Sequence, residues 1–483
     1  MSFKTPYAYI VFSVILLIAG CRVPKSVEQT AWKPTQEMPK NFASIAQADS
    51  LNPLPAWRNF FASNQLNQLI DSALRFNLDL KAGKQDVVIN EAMNRLARVN
   101  NRPTLDAVFN AQADRFAFYT MNGIGNYDLN KSNNITPDQR LPEVLPDILI
   151  GLRSQWEIDV WGKLKQQRKS AAYRLLAARD GLQWLQTQLA AEVAYLYFEY
   201  LGLVYELEVV QRNVDLQQQA LRIVQAQKEG GRATELAVRQ FAAQVARTQA
   251  FGFDIQHQQR QTLNRLSVLL GRYPIELTCE KELMQYPVPR EVTVGTPSQL
   301  LLNRPDVRAA QWNWMASTAD LGAARAQFYP QVMITPTLGI QGFKPGKLFT
   351  GQSVAAGLIG NLTAPISQRR RVRESYQMAM AQREQAAAQA EHAWIKAINE
   401  VHQLVQGHAL MNSQIDARQR EYTELRAAVS SARDLYTNGY ANYLEVISAQ
   451  QGLLDAEIAI TLIRKNQLQN LVNLYRSLGG GWN

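Results

Sequence analysis

The sequence predicts a mainly α-helical chain that contributes four strands to a membrane β-barrel and contains two internal structural repeats. Three observations support this prediction: two long proline-free tracts with helical periodicity, four short segments in which apolar and polar residues alternate, and an apolar N-terminal stretch that ends near a cysteine. The 483 residues are 46% hydrophobic and 19% charged, with a net charge of +10, and this composition excludes wholesale disorder. No later run of about eighteen apolar residues occurs, which excludes a polytopic helical membrane protein.

The N-terminus has the features of a lipoprotein signal. Lys4 precedes an apolar stretch over residues 7–19, and Gly20 stands directly before Cys21. We therefore predict a signal peptide over residues 1–20 and lipidation of Cys21, with a diacylglycerol on its sulfur and a palmitoyl chain on its amino group. Arg22 rather than an aspartate follows the cysteine, which resembles the pattern of outer-membrane lipoproteins. An ordinary signal peptide or membrane anchor with a chance cysteine is the alternative.

Long helices are predicted in the two tracts that lack proline, residues 147–273 and residues 366–483. Both tracts are rich in strong helix formers, and apolar residues recur at steps of three and four. The predicted helices cover about 163–229, 233–271, 367–437 and 440–478. At 1.5 Å per residue the longer helices would measure about 100 Å and the shorter about 60 Å. Such lengths exceed what one globular core requires and indicate a coiled coil or a hollow helical assembly.

The turns inside the two tracts resemble each other. Gly231 and Gly439 each follow the first helix of a pair, where a left-handed C-cap suits glycine. Thr234 and Asn442 each precede the second helix and can accept hydrogen bonds from its free amides. Each turn is therefore predicted to be the tip of a helical hairpin.

Two alternating segments precede each long helix. They are residues 104–114 and 147–160 in the first copy, and residues 332–340 and 354–366 in the second. Alternation over about ten residues matches the length of a membrane-crossing strand. The connections over 121–146 and 342–352 are predicted to be polar loops. A small soluble sandwich with one solvated face is the alternative.

Four strands cannot close a membrane barrel, because about eight is the observed minimum. Open strand edges in lipid would leave backbone groups without hydrogen-bond partners. The chain is therefore predicted to form a homotrimer with a twelve-stranded barrel, at four strands per chain. The long helices of the three copies would form a hollow cylinder below it.

Dispersed segments carry a family resemblance. They are Trp57–Phe61 with Leu66–Asn77, Trp156–Gly162, Pro297–Val307, Ala323–Pro330 and Leu474–Trp482. These segments are similar to the TolC-type outer-membrane efflux family, and most of all to the lipoprotein branch that serves resistance-nodulation-division (RND) pumps. The resemblance extends over nearly all of the mature chain. Ser367, Gln368 and Arg369 depart from it, since many relatives have a glycine pair there, and this affects only the local turn.

The resemblance implies a homotrimeric duct with a twelve-stranded barrel, a long periplasmic α-helical barrel and a mixed equatorial domain. The implied function is that of the outer-membrane channel of a tripartite efflux system, which passively conducts drugs or other small toxic molecules. Its implied partners are outer-membrane lipid, a periplasmic adaptor protein and an inner-membrane RND-type transporter. The outer-membrane duct of a type I protein secretion system is the alternative, because the same architecture can serve it.

The expected division of the chain follows these elements. It consists of a signal peptide (1–20), a lipid-anchored N-terminal and equatorial segment (21–63), a first repeat (64–279), an equatorial linker (280–297), a second repeat (298–478) and a C-terminal equatorial tail (479–483).

Motifs for catalysis are missing from the sequence. His257, His392, His402 and His408 fall on predicted helices and form no His-Glu-x-x-His motif. Neither a Walker loop nor a Gly-x-Ser-x-Gly motif occurs, and two cysteines cannot build a cysteine-rich zinc site. We therefore expect a protein that is not an enzyme and that binds no cofactor and no metal.

Two basic clusters occupy corresponding strand-to-helix junctions, over residues 163–169 and 369–373. A nucleic-acid site is not favoured, because both clusters lie beside predicted membrane strands. They fit a collar at the membrane–water boundary, where cations meet lipid phosphates. A solvated helical face is the alternative.

Charged residues near the second hairpin tip are candidates for a periplasmic gate, because a duct that stays open would leak. The candidates are Arg426, Ser430, Arg433 and Asp434. Family members hold this end shut with links between neighbouring hairpins, and Ser430 stands near where an acidic residue is expected. Ordinary exposed charges are the alternative, since an isolated surface ion pair contributes only about 0–1 kcal/mol. The residues that mark the tips for adaptor docking are Gly231, Thr234, Gly439 and Asn442.

Overall fold

The computed structural model describes residue 24 and residues 57–61, 63–290, 292 and 303–480. These residues form two compact units, each built from separate stretches of chain. The first unit combines residue 24, residues 90–175 and residues 313–386; the described residues of the second fall within 57–89, 176–312 and 387–480. The predicted signal peptide and Cys21 lie outside the described residues.

Polar caps separate the helices that precede the sheet. These helices are α1 (Trp57–Phe60), α2 (Asn64–Phe76) and α3 (Leu78–Val99). Ser63 starts α2, because its hydroxyl accepts a hydrogen bond from Leu66 N at 3.3 Å. Asn77 ends α2, and its Oδ1 accepts a hydrogen bond from Leu80 N at 2.8 Å. The same residue therefore starts α3.

The first unit contains a four-stranded sheet in the order β1-β2-β3-β4, and each neighbouring pair is antiparallel. The strands are β1 (Thr104–Asp114), β2 (Leu145–Ile158), β3 (Gln331–Gly342) and β4 (Val354–Thr363). Their bounds confirm the four predicted strands to within three residues at each end. β4 ends before the predicted residue 366 because Pro365 has no amide hydrogen to offer a neighbouring strand.

The connection between β1 and β2 is not the loop that the sequence predicts. Helix α4 (Met121–Lys131) begins after Thr120, whose hydroxyl accepts a hydrogen bond from Gly123 N at 3.2 Å. A short 3-10 turn follows at Pro137–Gln139. No residue of α4 is buried, so the helix lacks the apolar stripe that reveals a core-facing helix in a sequence.

Two helical hairpins occupy the proline-free tracts. The helices are α5 (Lys163–Glu229) and α6 (Glu235–Leu269), then α7 (Pro305–Ala326) before β3, and finally α8 (Arg369–Thr437) and α9 (Tyr443–Ser477). The bounds of the four hairpin helices agree with the predicted ones to within three residues. The order of a helix, two strands, a long helix and a shorter helix therefore occurs twice along the chain.

The largest core of the second unit packs α2 against parts of α5, α6 and α9. Leu66 and Ile70 from α2, Val193 and Tyr197 from α5, and Leu266 from α6 are completely buried in it. Helix α9 is the one described helix long and apolar enough to cross a membrane, and 44% of its most apolar stretch is buried inside the chain. Core packing therefore accounts for its apolar composition.

Candidate functional site

The register of the sheet brings the apolar positions of all four strands onto one face. Phe109 lies opposite Ile150, Ile150 opposite Ile340, and Ile340 opposite Val354. The same face also carries Leu105, Ala107, Leu152, Trp156, Val332, Ile334, Leu338, Ala356, Leu358 and Leu362. Large side chains on this face are open to the surroundings, with Phe109 68% and Leu358 74% exposed. A broad exposed apolar face is typical of a sheet that contacts lipid.

The opposite face of the sheet is mostly polar, although Val108, Leu149, Met333 and Ile359 also lie on it. Its residues include Asp106, Asn110, Gln112, Asp147, Arg153, Gln155, Glu157, Thr335, Thr337, Gln341, Asn361 and Thr363. Gly151 and Gly339 lie opposite each other on this face, and a Cβ added to Gly151 would lie 2.7 Å from the Gly339 Cα. An apolar face opposed to a polar one is the pattern of strands whose outer side meets lipid and whose inner side meets water.

The two edge strands of the sheet are β1 and β4, and within the described chain each pairs on one side only. The helices that adjoin them expose apolar side chains. These are Met93, Leu96 and Val99 on α3, which precedes β1, and Met378 and Met380 on α8, which follows β4. Both edges therefore combine unpaired backbone groups with exposed apolar helix surface, a combination that invites pairing with another chain.

An aromatic pair marks the junction between the sheet and the long helices. The rings of Trp161 and Tyr329 stack with their centroids 4.5 Å apart, and Trp161 Nε1 donates a hydrogen bond to the Pro330 carbonyl at 2.8 Å. The Asp159 carboxylate accepts a hydrogen bond from Leu164 N at 3.0 Å, which helps to start α5. Amphipathic aromatics at such a junction are typical of a membrane–water boundary.

Both hairpin tips have the predicted conformation. Gly231 and Gly439 have φ angles of +73° and +83°, in the left-handed region that favours glycine. Thr234 Oγ1 accepts a hydrogen bond from the third amide that follows it, at 3.3 Å. Asn442 Oδ1 accepts one from the second amide that follows it, also at 3.3 Å, and Glu445 completes a capping box. The conformation of the two turns is therefore confirmed, while their role in docking stays a prediction.

Three of the four gate candidates line one groove in the second unit. Arg426, Ser430 and Arg433 lie on one face of α8 and border a cavity of about 370 Å³. Asp434 does not border it; its side chain is 67% exposed and lies 3.8 Å from Arg433. The remaining lining residues are Arg212, Asn213, Leu216, Tyr422, Val429, Leu453 and Glu457.

Glu457 supplies the groove with an acid that the sequence did not reveal. Its carboxylate accepts a hydrogen bond from Asn213 Nδ2 at 2.9 Å. No local pattern could have found this contact, because Asn213 lies on α5 and Glu457 on α9. Arg212, Arg426 and Arg433 line the same groove as this single carboxylate, so its lining carries a net positive charge.

A buried arginine joins three elements of the second unit. Arg304 is 1% exposed and donates to both Asp306 carboxylate oxygens, at 2.8 and 3.1 Å, to Glu400 at 3.0 Å and to the Ser477 carbonyl at 3.1 Å. Burial alone would lower the pKa of Arg304, but Asp306 and Glu400 raise it above its ordinary value. Arg476 also donates to Glu400. The network ties the start of α7 to α8 and to the end of α9, so this part of the family-like segment has a structural role.

Metal binding finds no support in the described part of the chain. Among the residues that the structure describes, no group of three or more His, Cys, Asp or Glu side chains could hold a metal ion.

Comparison with known proteins identifies relatives over nearly the whole chain. A family model described as "Outer membrane efflux protein" matches residues 69–272 and 296–480. The chain is 27% identical over 472 residues to the solvent efflux pump outer membrane protein SrpC of Pseudomonas putida, covering 97% of each chain. It is 27% identical over 479 residues to the probable outer membrane lipoprotein SilC of Salmonella typhimurium, covering 97% of this chain and 98% of that one. Among solved structures, the outer-membrane channel OprN has the same fold, with a TM-score of 0.82 at 24% identity over 95% of this chain and 98% of OprN.

Proposed function

The chain belongs to the outer membrane efflux protein family, and on that premise we propose that three copies of it form a passive duct that exports small toxic molecules across the outer membrane. The observation that carries this proposal is the sheet, which is apolar on one face, polar on the other and open at both edges. A single copy cannot satisfy the hydrogen bonds of these edges inside a membrane.

Pairing between copies would close the barrel. The free edge of β1 in one copy pairs with the free edge of β4 in the next, which gives twelve strands from three copies of a four-stranded sheet. The apolar face then meets lipid, and the polar face lines a water-filled lumen. The exposed apolar side chains of α3 and α8 pack against each other at the same boundary between copies.

The long helices continue the duct into the periplasm. Helices α5, α6, α8 and α9 from three copies form a helical barrel, and the repeats 64–279 and 298–478 contribute equally to it. The segments 21–63, 280–297 and 479–483 complete a mixed equatorial domain. Support for this arrangement comes from the twofold occurrence of the same element order along the chain.

A lipid on Cys21 anchors the N-terminus in the outer membrane. The printed description of SilC as a probable outer membrane lipoprotein supports this. Arg325 Nε donates a hydrogen bond to the Pro24 carbonyl at 2.6 Å, in the unit that holds the sheet.

The hairpin tips dock a periplasmic adaptor protein, which connects the duct to an inner-membrane RND-type transporter. The tips suit this role because Gly231, Thr234, Gly439 and Asn442 hold two similar, well-capped turns at the ends of the hairpins. Nearby, Arg426, Ser430 and Arg433 take part in the gate that closes the duct at rest, together with Glu457. Asp434 lies next to this groove without lining it.

The cargo is a class of small molecules rather than secreted polypeptides. The printed name of SrpC describes solvent efflux, and none of the relatives described above is named as a protein secretion duct. The type I secretion alternative is therefore not favoured. A passive duct needs no catalytic group and no cofactor, because the partner pump supplies the energy.

The test combines conductance with export. Purified protein in a planar bilayer should form channels, and a strain that lacks the chain should accumulate a fluorescent efflux substrate while its secreted proteins stay unchanged. Loss of one secreted protein with normal efflux would instead support the secretion duct. Absence of channels both from intact wild-type trimers and from trimers of the Arg426→Ala, Arg433→Ala variant would overturn the duct proposal.

A further inference from the structure

A cationic cavity of about 490 Å³ lies in the first unit, between the end of α3 and the start of α5. The residues that line it are Asn94, Arg98, Asn101, Arg102, Arg168, Lys169 and Ala172. Four of these seven described residues are cations and none is acidic. Such a cavity attracts an anion.

Three of the four cations have no partner of their own. Within the part of the chain that the structure describes, Arg98, Arg102 and Arg168 form neither an ion pair nor a side-chain hydrogen bond. Arg168 is half-buried, and the other two are exposed. Like charges that converge on one cavity repel one another, and a bound phosphate would offset that repulsion while it accepts several hydrogen bonds from the guanidinium groups.

Asn94, which lines the cavity, has a buried side-chain oxygen that also lacks a partner among the described residues. Asn94 is 7% exposed, and its buried Oδ1 accepts no hydrogen bond from any described residue. Buried carboxamide oxygens are nearly always hydrogen bonded. A phosphate cannot satisfy this atom, because phosphate oxygens accept as well. A ligand that satisfied both the cations and this oxygen would carry a hydrogen-bond donor beside its phosphate.

The cavity lies beside one end of the sheet. Arg102 precedes Leu105, the first apolar-face residue of β1, by three residues, or about 10 Å of extended chain. Arg168 follows the start of α5 by five residues, or about 8 Å along the helix. The headgroup layer of a bilayer extends about 5–8 Å beyond its hydrocarbon core on each side. Because barrel strands tilt by about 35–45°, about 10 Å of chain corresponds to about 7–8 Å of depth. The Arg102 end of the cavity therefore lies at headgroup depth if the apolar face of the sheet is in the hydrocarbon.

We propose that this cavity binds the headgroup of a phospholipid from the periplasmic leaflet of the outer membrane. Arg98, Arg102 and Arg168 hold the phosphate diester, and Asn94 Oδ1 accepts a hydrogen bond from an ammonium group such as that of ethanolamine. Which leaflet faces the cavity rests on the proposed function, because the long helices that begin beside it are the periplasmic ones. The site would fix the height of the duct in the membrane.

The experiment measures lipid retention by native mass spectrometry of the detergent-extracted, delipidated protein. Phosphatidylethanolamine and phosphatidylcholine are added in turn, since both carry the phosphate but only the first headgroup can donate a hydrogen bond. Glycerol phosphate is added as a soluble phosphate. The wild-type protein should bind phosphatidylethanolamine most tightly, and glycerol phosphate should compete only weakly.

Substitution should separate the two parts of the site. Arg98→Gln, Arg102→Gln and Arg168→Gln combined should weaken the binding of both lipids by more than about tenfold, as the loss of charge-assisted hydrogen bonds predicts. Asn94→Leu should abolish the preference for phosphatidylethanolamine while phosphatidylcholine still binds. The matched control replaces Arg222, Arg247 and Arg260, which are exposed on α5 and α6, with glutamine and should change neither.

Three results would overturn the proposal: equal lipid retention by the triple variant and its control, competition by glycerol phosphate as strong as by the lipid, or a lipid preference that survives Asn94→Leu. If the triple variant fails to assemble, the test uses two single variants instead. Arg168→Gln alone should still weaken the binding of both lipids, and Asn94→Leu should still lose the preference for phosphatidylethanolamine. Failure of the duct proposal is distinguishable, because it would show as lost conductance of the wild-type protein whatever lipid it retains.

Discussion

The Asn213 carboxamide on α5 donates a hydrogen bond to the Glu457 carboxylate on α9, with 2.9 Å between Nδ2 and Oε2. This contact fixes an acidic group in a groove that Arg426 and Arg433 border from α8. The carboxylate is thus oriented before any neighbouring copy arrives. Arg426 and Arg433 line the same groove, where exposed cations could link neighbouring hairpins, and Arg433 also lies 3.8 Å from Asp434.

Removal of the two α8 arginines should open the gate. The variant that combines Arg426→Ala with Arg433→Ala removes the cations from the links between neighbouring hairpins. Its single-channel conductance in a planar bilayer should therefore rise above that of the resting wild-type protein. An exposed link contributes only about 0–1 kcal/mol, but three symmetry-related copies multiply its effect. Arg420→Ala is the matched control, because Arg420 is exposed on the same helix without lining the groove, and the conductance of this variant should stay at the resting level. An intact double-variant trimer with resting conductance would exclude these arginines from the gate.

The tip glycines should be sensitive to a single methyl group. Gly231→Ala forces a residue with a Cβ into a left-handed conformation, at φ +73°, and should destabilise the tip by about 1–2 kcal/mol. Faster amide hydrogen exchange around the turn would report this. Gly230→Ala is the control, since an added Cβ there has only ordinary contacts, the nearest at 3.7 Å. Equal exchange in the two variants would argue against the left-handed turn.

Loss of the buried guanidinium should destabilise the second unit. Arg304→Met leaves the Asp306 carboxylate without its arginine and leaves Glu400 with Arg476 alone, and breaking a buried pair in this way typically costs about 3–5 kcal/mol. The concentration of guanidinium chloride at which half of the protein is unfolded, measured by circular dichroism in detergent, should fall accordingly. Arg58→Met removes an exposed pair with Asp71 and should cost no more than about 1 kcal/mol. Similar midpoints for both variants would contradict the network's structural role.

The half-buried carboxyl of Glu206 makes stability depend on pH. Burial raises the pKa of Glu206 above its ordinary value, although Lys465 opposes the shift and Glu199 adds to it. The folded chain therefore holds this proton more tightly than the unfolded chain, so the contribution of Glu206 to stability falls as the pH rises from its ordinary pKa through the raised one. Glu206→Gln should raise the unfolding temperature at pH 7. It should have little effect at about pH 4, where the Glu206 side chain of the wild-type protein is mostly protonated and therefore neutral, like glutamine.

The exposed Glu208 provides the control for this pH dependence. Glu208→Gln should not reproduce the pattern. A Glu206→Gln protein that is no more stable than the wild type at pH 7 would show that the carboxylate is accommodated without cost.

Long periodic elements were predictable from the sequence, because their signals are local. The proline-free tracts and the alternation at Leu105, Ala107 and Phe109 fixed helices and strands to within three residues. Helix α4 was missed because its residues are all at least partly exposed, so burial leaves no pattern in them. The antiparallel order of the strands required three-dimensional information, since hairpins alone do not join β2 to β3.

The candidate site was predictable where a turn determines it and not where distant helices meet. The left-handed conformation of Gly231 and Gly439 was predictable, because a helix that ends in a left-handed turn favours glycine there. Glu457 and Asn213 gave no such signal, since each is an ordinary polar residue within a helix and only packing brings them together. Asp434 was grouped with Arg433 by proximity in sequence, although adjacent positions on a helix point in different directions.

The most direct test of the trimeric duct is the mass of the extracted complex. Native mass spectrometry of the mature chain should give three copies, because three four-stranded sheets are needed for the proposed twelve-stranded barrel. The lipid on Cys21 would add a further mass increment to each copy. A single copy that retains its full β-sheet signal in circular dichroism would contradict the account, since its two edges would then be stable without a neighbour.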